Sequence, residues 1–256
     1  MRVFAALVRQ GMKVMLAYQW ENYMGLVGNF AFLLLFSALW SALLRGDPEA
    51  QARMLSYVFI GQLLQNWTFT PTWELAGRFR MGDVALELAK PLSLPVRVLG
   101  DFLGRNIVRV LRALPAFAAV GFLMGIRLPD WPQFGFFLLS AGLAWVINAS
   151  LYVGITLISL WTTYFDQAHQ ILDFLEGVFS GFYVPLWYMP PALAAIATYT
   201  PFPGMFFTPA AIFSGGLQGA EALSALAVQA LWAGGSLLIL YGIWLGGVRK
   251  MTVMGG

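Results

Sequence analysis

Six long apolar stretches divide this chain, and the basic residues between them are sorted by alternate gaps. Lys and Arg gather at the start (Arg2, Arg9, Lys13), in one central stretch (Arg78, Arg80, Lys90, Arg97, Arg105, Arg109, Arg112) and at the end (Arg249, Lys250). Of the 15 Lys and Arg, only Arg45, Arg53 and Arg127 fall in the other gaps. Loops rich in Lys and Arg are retained on the cytoplasmic side of a membrane. Six crossings put the three rich groups on that side. The pattern therefore predicts an all-α integral membrane protein with both termini in the cytoplasm.

Composition points the same way. Apolar residues make up 59% of the chain and charged residues only 11%, where a soluble domain carries roughly 25% charge to keep its surface wet. The net charge of +3 is no sign of nucleic acid here, because anionic headgroups attract Lys and Arg at span ends. The absence of cysteine excludes disulfides, thiolate catalysis and Cys-based metal sites, and a single His leaves little for a His-rich metal centre.

The expected spans run from about Asn22 to Leu44, Met54 to Leu75, Asn106 to Ile126, Gln133 to Trp161, Gln167 to Met189 and Leu223 to Val248. They form one transmembrane domain over residues 1–256. Residues 1–21 do not read as a signal peptide. Placed on a helix, Phe4, Leu7, Val8, Gly11, Met15 and Tyr18 share one face and Arg2, Arg9 and Lys13 the other, which is the pattern of a helix lying in the membrane surface. Residues 190–219 are apolar but broken by Pro191, Pro201, Pro203, Pro209 and Gly215-Gly216. A seventh crossing there would put Arg249 and Lys250 outside, so a re-entrant or outer-leaflet helical pair is expected.

Residues 76–105 form the longest loop predicted to face the cytoplasm. Within it Asp83, Glu87 and Lys90 fall at i, i+4 and i+7, one face of a short helix bounded by Gly82 and Pro91. Such a helix suits docking on another protein or resting on headgroups.

Two segments carry a resemblance. Arg80-Met81-Gly82-Asp83, followed by Leu88-Ala89-Lys90-Pro91-Leu92, resembles the G-x-(I/V)-x-x-x-L-x-(K/R)-P loop of ABC-2 type exporter permeases. Ser180-Gly181-Phe182-Tyr183-Val184-Pro185-Leu186, then Met189-Pro190 and Thr200-Pro201-Phe202, is similar to that family's segment before its last span. With the basic N-terminal helix and the long loop, the resemblance covers essentially the whole chain. It implies a permease subunit of an ATP-binding cassette exporter in a bacterial inner membrane, paired with a second permease subunit, identical or paralogous, and driven by separate ATPase subunits. By that resemblance Asp83, Val84, Leu86, Glu87 and Leu88 dock on the ATPase, and Arg2, Arg9 and Lys13 belong to an elbow helix. The residues agree that the chain lacks a motor of its own. A phosphate-binding loop needs Gly-x-x-x-x-Gly-Lys-Ser/Thr, but Lys13, Lys90 and Lys250 precede Val14, Pro91 and Met251. ATP and Mg are thus expected in the partner, with no cofactor or catalytic residue here.

Further polar residues lie in or beside spans. Asp166, His169, Asp173 and Glu176 share a helical face with Ser180 one turn beyond, and an ionised Glu176 in the bilayer must face protein or water. Arg105, Arg109 and Arg112 form a second stripe, with Asp101 one turn before. Glu176, Ser180, Arg109 and Arg112 are candidates for a translocation path. The Arg stripe reads equally as snorkelling to phosphates, with Asp101 as partner. The alternative function is an ion-coupled secondary transporter using Glu176. Small-residue pairs such as Gly100/Gly104 and Gly121/Gly125 allow close helix approach without saying what approaches.

Overall fold

Capping residues, glycines and prolines set where the helices of this chain begin and stop. The structure, a computed structural model, describes residues 2–17, 20–81, 90–159 and 165–251, and no strand occurs among them. Ten α-helices follow in order: α1 Arg2–Ala17, α2 Trp20–Leu43, α3 Pro48–Thr68, α4 Thr72–Arg80, α5 Leu94–Leu123, α6 Trp131–Ile158, α7 Phe165–Phe179, α8 Pro191–Thr198, α9 Phe207–Phe213 and α10 Gly219–Met251. Asp47 caps α3 by accepting the Ala50 N–H at 3.0 Å, and Asp130 caps α6 by accepting the Gln133 N–H at 3.1 Å. Helix α5 stops at Gly125, whose φ of 66° lets the Ile126 N–H return to the Gly121 carbonyl at 2.9 Å.

Among the described residues, four stretches are long and apolar enough to cross a membrane: Gly25–Leu43, Leu94–Leu123, Trp131–Ile158 and Gly219–Arg249. The chain is a multi-pass, all-helical membrane protein. The other two expected spans take a different form. Helix α3 is long enough but carries Gln62, Gln65 and Asn66 in its second half, and it ends at Thr68 instead of continuing to Leu75. Pro71 has no N–H to give the ladder and disfavours helix at Thr70. The stretch expected to cross from Gln167 to Met189 is α-helical to Phe179, with a 3₁₀ turn at Leu186–Tyr188. Ser180 and Gly181 (φ 81°) turn the chain after Phe179. Helix α5 in turn starts at Leu94, well before the expected Asn106.

The central element is α6, half buried along its length and flanked by α3, α4, α5, α7, α9 and α10. Its buried residues include Ser140, Ala144, Ala149, Ser150 and Gly154, small enough for neighbours to approach closely. Gln229 of α10 locks this packing. Its Nε2 donates to the carbonyls of Ser140 and Gly204 at 2.9 and 2.7 Å, and its Oε1 accepts from the Ser140 hydroxyl at 2.8 Å. Residues 190–219 form α8, a 3₁₀ turn at Phe202–Gly204, and α9, whose residues from Thr208 to Phe213 are buried.

Helix α1 lies on the first half of α5. The apolar face expected to sink into acyl chains is partly covered by protein, with Phe4 left exposed: Gly11 rests on the Asp101 carbonyl, and Gly100 and Gly104 rest on Leu7 and the Val8 carbonyl. Arg2, Arg9 and Lys13 remain exposed. Arg112 closes the contact by donating to the carbonyls of Met15 and Leu16 at 3.2 and 3.3 Å, among the acceptors that a helix end leaves without partners.

Connections rich in basic residues gather at one end of the bundle. There Gln10 of α1 lines a cavity with Arg78, Lys90 and Arg97, and Trp244 near the end of α10 packs in one apolar cluster with Leu75, Leu94 and Phe102. At the other end Glu49, Arg53, Arg127, Asp130 and Gly215 line one crevice.

Candidate functional site: a polar cavity system at the α3–α4 break

The interruption between α3 and α4 frees backbone groups inside the bundle, and nearby side chains satisfy them. Asn106 donates to the Trp67 carbonyl at 2.7 Å, and the Thr70 hydroxyl lies 3.0 Å from both the Thr68 carbonyl and Asn148 Oδ1. Irregular backbone at membrane depth survives only where protein or a wet cavity surrounds it. Here a cavity of about 750 Å3 opens beside the break, lined by Asn29, Gln65, Asn66, Phe69, Trp73, Glu74, Arg105 and Arg109 among others.

Toward the basic end, Glu74, Arg78 and Arg105 also line a second cavity of about 370 Å3. Arg105 is the hub between the two. Its Nη1 donates to both Glu74 oxygens at 2.9 and 2.8 Å, and its Nε lies 2.8 Å from Asp101 Oδ2. The Arg105 side chain is 11% exposed and that of Glu74 39%. One guanidinium thus ties α4 to α5. Arg109 sits one turn further, with its Cζ 3.9 Å from the centroid of Phe69.

Toward α7, Gln65, Phe69 and Trp73 also line a third cavity of about 330 Å3, which includes Asn148, Tyr152, Asp173, Glu176 and Ser180. The Tyr152 hydroxyl donates to Asp173 at 2.7 Å and also contacts Glu176. His169 Nε2 lies 2.9 Å from the Thr72 hydroxyl, so α7 reads the start of α4 directly.

The four path candidates therefore separate. Glu176 and Ser180 line the third cavity and Arg109 the first, while Arg112 is engaged with the end of α1. Ser180 also holds the turn after α7, accepting the Phe182 N–H at 3.2 Å on its hydroxyl and the Phe207 N–H at 2.9 Å on its carbonyl. Asp83, Val84, Leu86, Glu87 and Leu88, expected from the resemblance to dock on an ATPase, lie outside the described residues. Their flanks are fixed by α4 and by the start of α5.

Glu74, Asn148 and Tyr152 are site residues that the sequence reading missed. A polar Asn148 deep in an apolar span was a usable signal. Glu74 was not, because its partner lies 31 residues away.

Residues 19–255 match the family described as ABC-2 family transporter protein. The chain belongs to that family. No curated protein matches it. As an ABC-2 type permease it is the membrane-embedded part of a transport system. The family match takes in every cavity-lining residue except those of α1.

Proposed function

We propose that this chain is the permease subunit of an ABC exporter, forming the path for an amphipathic, drug-, lipid- or peptide-like substrate and driven by a separate ATPase subunit that holds ATP and Mg. The observation that carries this reading is the family match over residues 19–255 in a chain with no phosphate-binding loop. Two permease subunits, identical or paralogous, would sit on two ATPases in a bacterial inner membrane, with both termini cytoplasmic. Arg2, Arg9 and Lys13 would face lipid headgroups.

Asp83, Val84, Leu86, Glu87 and Leu88 meet the ATPase in this mechanism. The segment is strung between α4 and α5, which Arg105 joins through Glu74 and Asp101. A push on it therefore moves α4 and α5 together, and both line the first cavity. Motion of α4 also carries Thr72, which contacts His169 on α7. Closure of the ATPase would thereby change the walls of all three connected cavities.

The test is coexpression with the cognate ATPase subunit. Glu87→Pro breaks a helix at a cost of about 3 kcal/mol while leaving the spans intact; the protein should insert but lose ATPase association and transport. Leu88→Asp should weaken docking by putting a charge in an apolar contact. Full association and transport in both variants sink the docking assignment. The chain purified alone should neither bind nor hydrolyse ATP, and contaminant-free hydrolysis by it would overturn the permease reading.

A further inference from the structure

The cavity beside α7 has a wall chemistry that selects among substrates. Asp173 and Glu176 stand one helical turn apart on that wall, and both contact the Tyr152 hydroxyl. A hydroxyl has one proton and donates to one carboxylate at a time, so the other is left as an acceptor. Among the described residues no Lys or Arg lines this cavity. Ionised carboxylates at membrane depth call for a countercharge or water.

The remaining wall is rich in aromatic faces: Phe69, Trp73, Phe182, Tyr183 and Phe206. The Phe182 ring lies 5.2 Å from Tyr183 and 5.0 Å from Phe206. Phe69 already holds the Arg109 guanidinium, an instance of a cation on one of these rings. Behind this wall lies Gln62, 1% exposed, which lines a small separate void against Phe182 and Phe206. Through Gln65, Phe69 and Trp73 the cavity continues into the larger one, which leaves room for an apolar body.

We infer that this cavity binds amphipathic organic cations, with Asp173 and Glu176 holding the charge and the rings of Trp73, Phe182 and Tyr183 holding the apolar part. As a statement about cargo, the inference rests on the exporter reading. As a statement about binding, it stands on this wall alone. Arg105 does not compete for the acid pair, because Glu74 and Asp101 already engage it.

Tetraphenylphosphonium and tetraphenylborate have nearly the same shape and opposite charge, which separates charge recognition from apolar partitioning. The full chain in nanodiscs, without ATPase, should bind tetraphenylphosphonium saturably and tetraphenylborate far more weakly. Asp173→Asn with Glu176→Gln should weaken the cation about tenfold or more, the factor expected for one lost charge contact, and strengthen the anion by relieving its repulsion. Should the double variant fail to fold, Asp173→Asn alone, at an exposed position, should still weaken the cation severalfold. Trp73→Leu, at a side chain 62% exposed, should weaken it roughly threefold through the lost ring face. Equal binding of the two ions, no saturable cation binding, or unchanged affinity in the carboxamide variants overturns the site. Because no ATPase is present, such a failure rejects the cation site and leaves the docking experiments to decide the exporter reading.

Discussion

Gly104 shows what a missing side chain does in this bundle. A Cβ built there would lie 1.9 Å from the Val8 carbonyl oxygen and 2.8 Å from the Met12 nitrogen, both backbone atoms that cannot step aside. Gly11 is its counterpart on α1, where a Cβ would lie 2.0 Å from the Asp101 carbonyl oxygen. The two helices therefore touch through their backbones. Gly104→Val should push α1 off α5 at a cost of about 1–3 kcal/mol, the range for overpacking. The expected result is a lower melting temperature in detergent and faster proteolysis within residues 2–17. Gly28→Ala is the control, because nothing lies within 4 Å of its Cβ position. Unchanged melting and proteolysis in Gly104→Val would refute the close docking of α1. The small-residue spacing was visible in the sequence, but its partner was not. Gly100 and Gly104 seat α1, Gly121 meets the Phe59 ring, and Gly242 and Gly246 face open space.

At the scale of elements, the informative feature is α4, a nine-residue helix detached from α3 by Pro71 and held by its neighbours. Arg105 grips it through Glu74, and His169 meets its first residue, Thr72. Arg105→Ala leaves Glu74 and Asp101 facing each other without a cation. Removing one partner of a largely buried ion pair costs about 3–5 kcal/mol, an upper figure here because Glu74 is partly exposed. Lower thermal stability and loss of ATPase-stimulated transport are expected together. Arg105→Lys keeps the charge but not the fork that reaches Glu74 and Asp101 at once, so it should recover stability more than transport. A fully active Arg105→Ala protein would show that α4 is not coupled to α5 through this residue. The Arg105, Arg109 and Arg112 stripe was read from sequence as one feature, beside a translocation path or snorkelling to phosphates. In the fold its members diverge: an ion-pair hub, a cation on Phe69 and a clamp on α1. Periodicity reports which face residues share. It does not report what meets that face at each level of the bundle.

For the whole molecule, long-wavelength signals were the legible ones. Hydropathy marked the four long helices, and the charge bias grouped the connections that the fold brings to a common end. Short-range interruptions were less legible. Thr68 ends a helix just ahead of Pro71, and Phe179 ends one inside a run whose apolarity continues, where a Ser-Gly turn outweighs it. The grouped ends carry a direct prediction about orientation. Glu49 and Arg127 border the crevice at one end, and Arg9 and Lys90 lie exposed toward the other. Since the chain has no cysteine, single substitutions report their side without background. Glu49→Cys and Arg127→Cys should react with a membrane-impermeant maleimide in intact cells. Arg9→Cys and Lys90→Cys should react only after permeabilisation, because basic connections are retained inside. External labelling at Lys90→Cys would invert the orientation and remove the docking segment from the reach of any cytoplasmic ATPase. Labelling of Arg9→Cys and Lys90→Cys from opposite sides would instead break the common end, since Gln10 on α1 and Lys90 line one cavity.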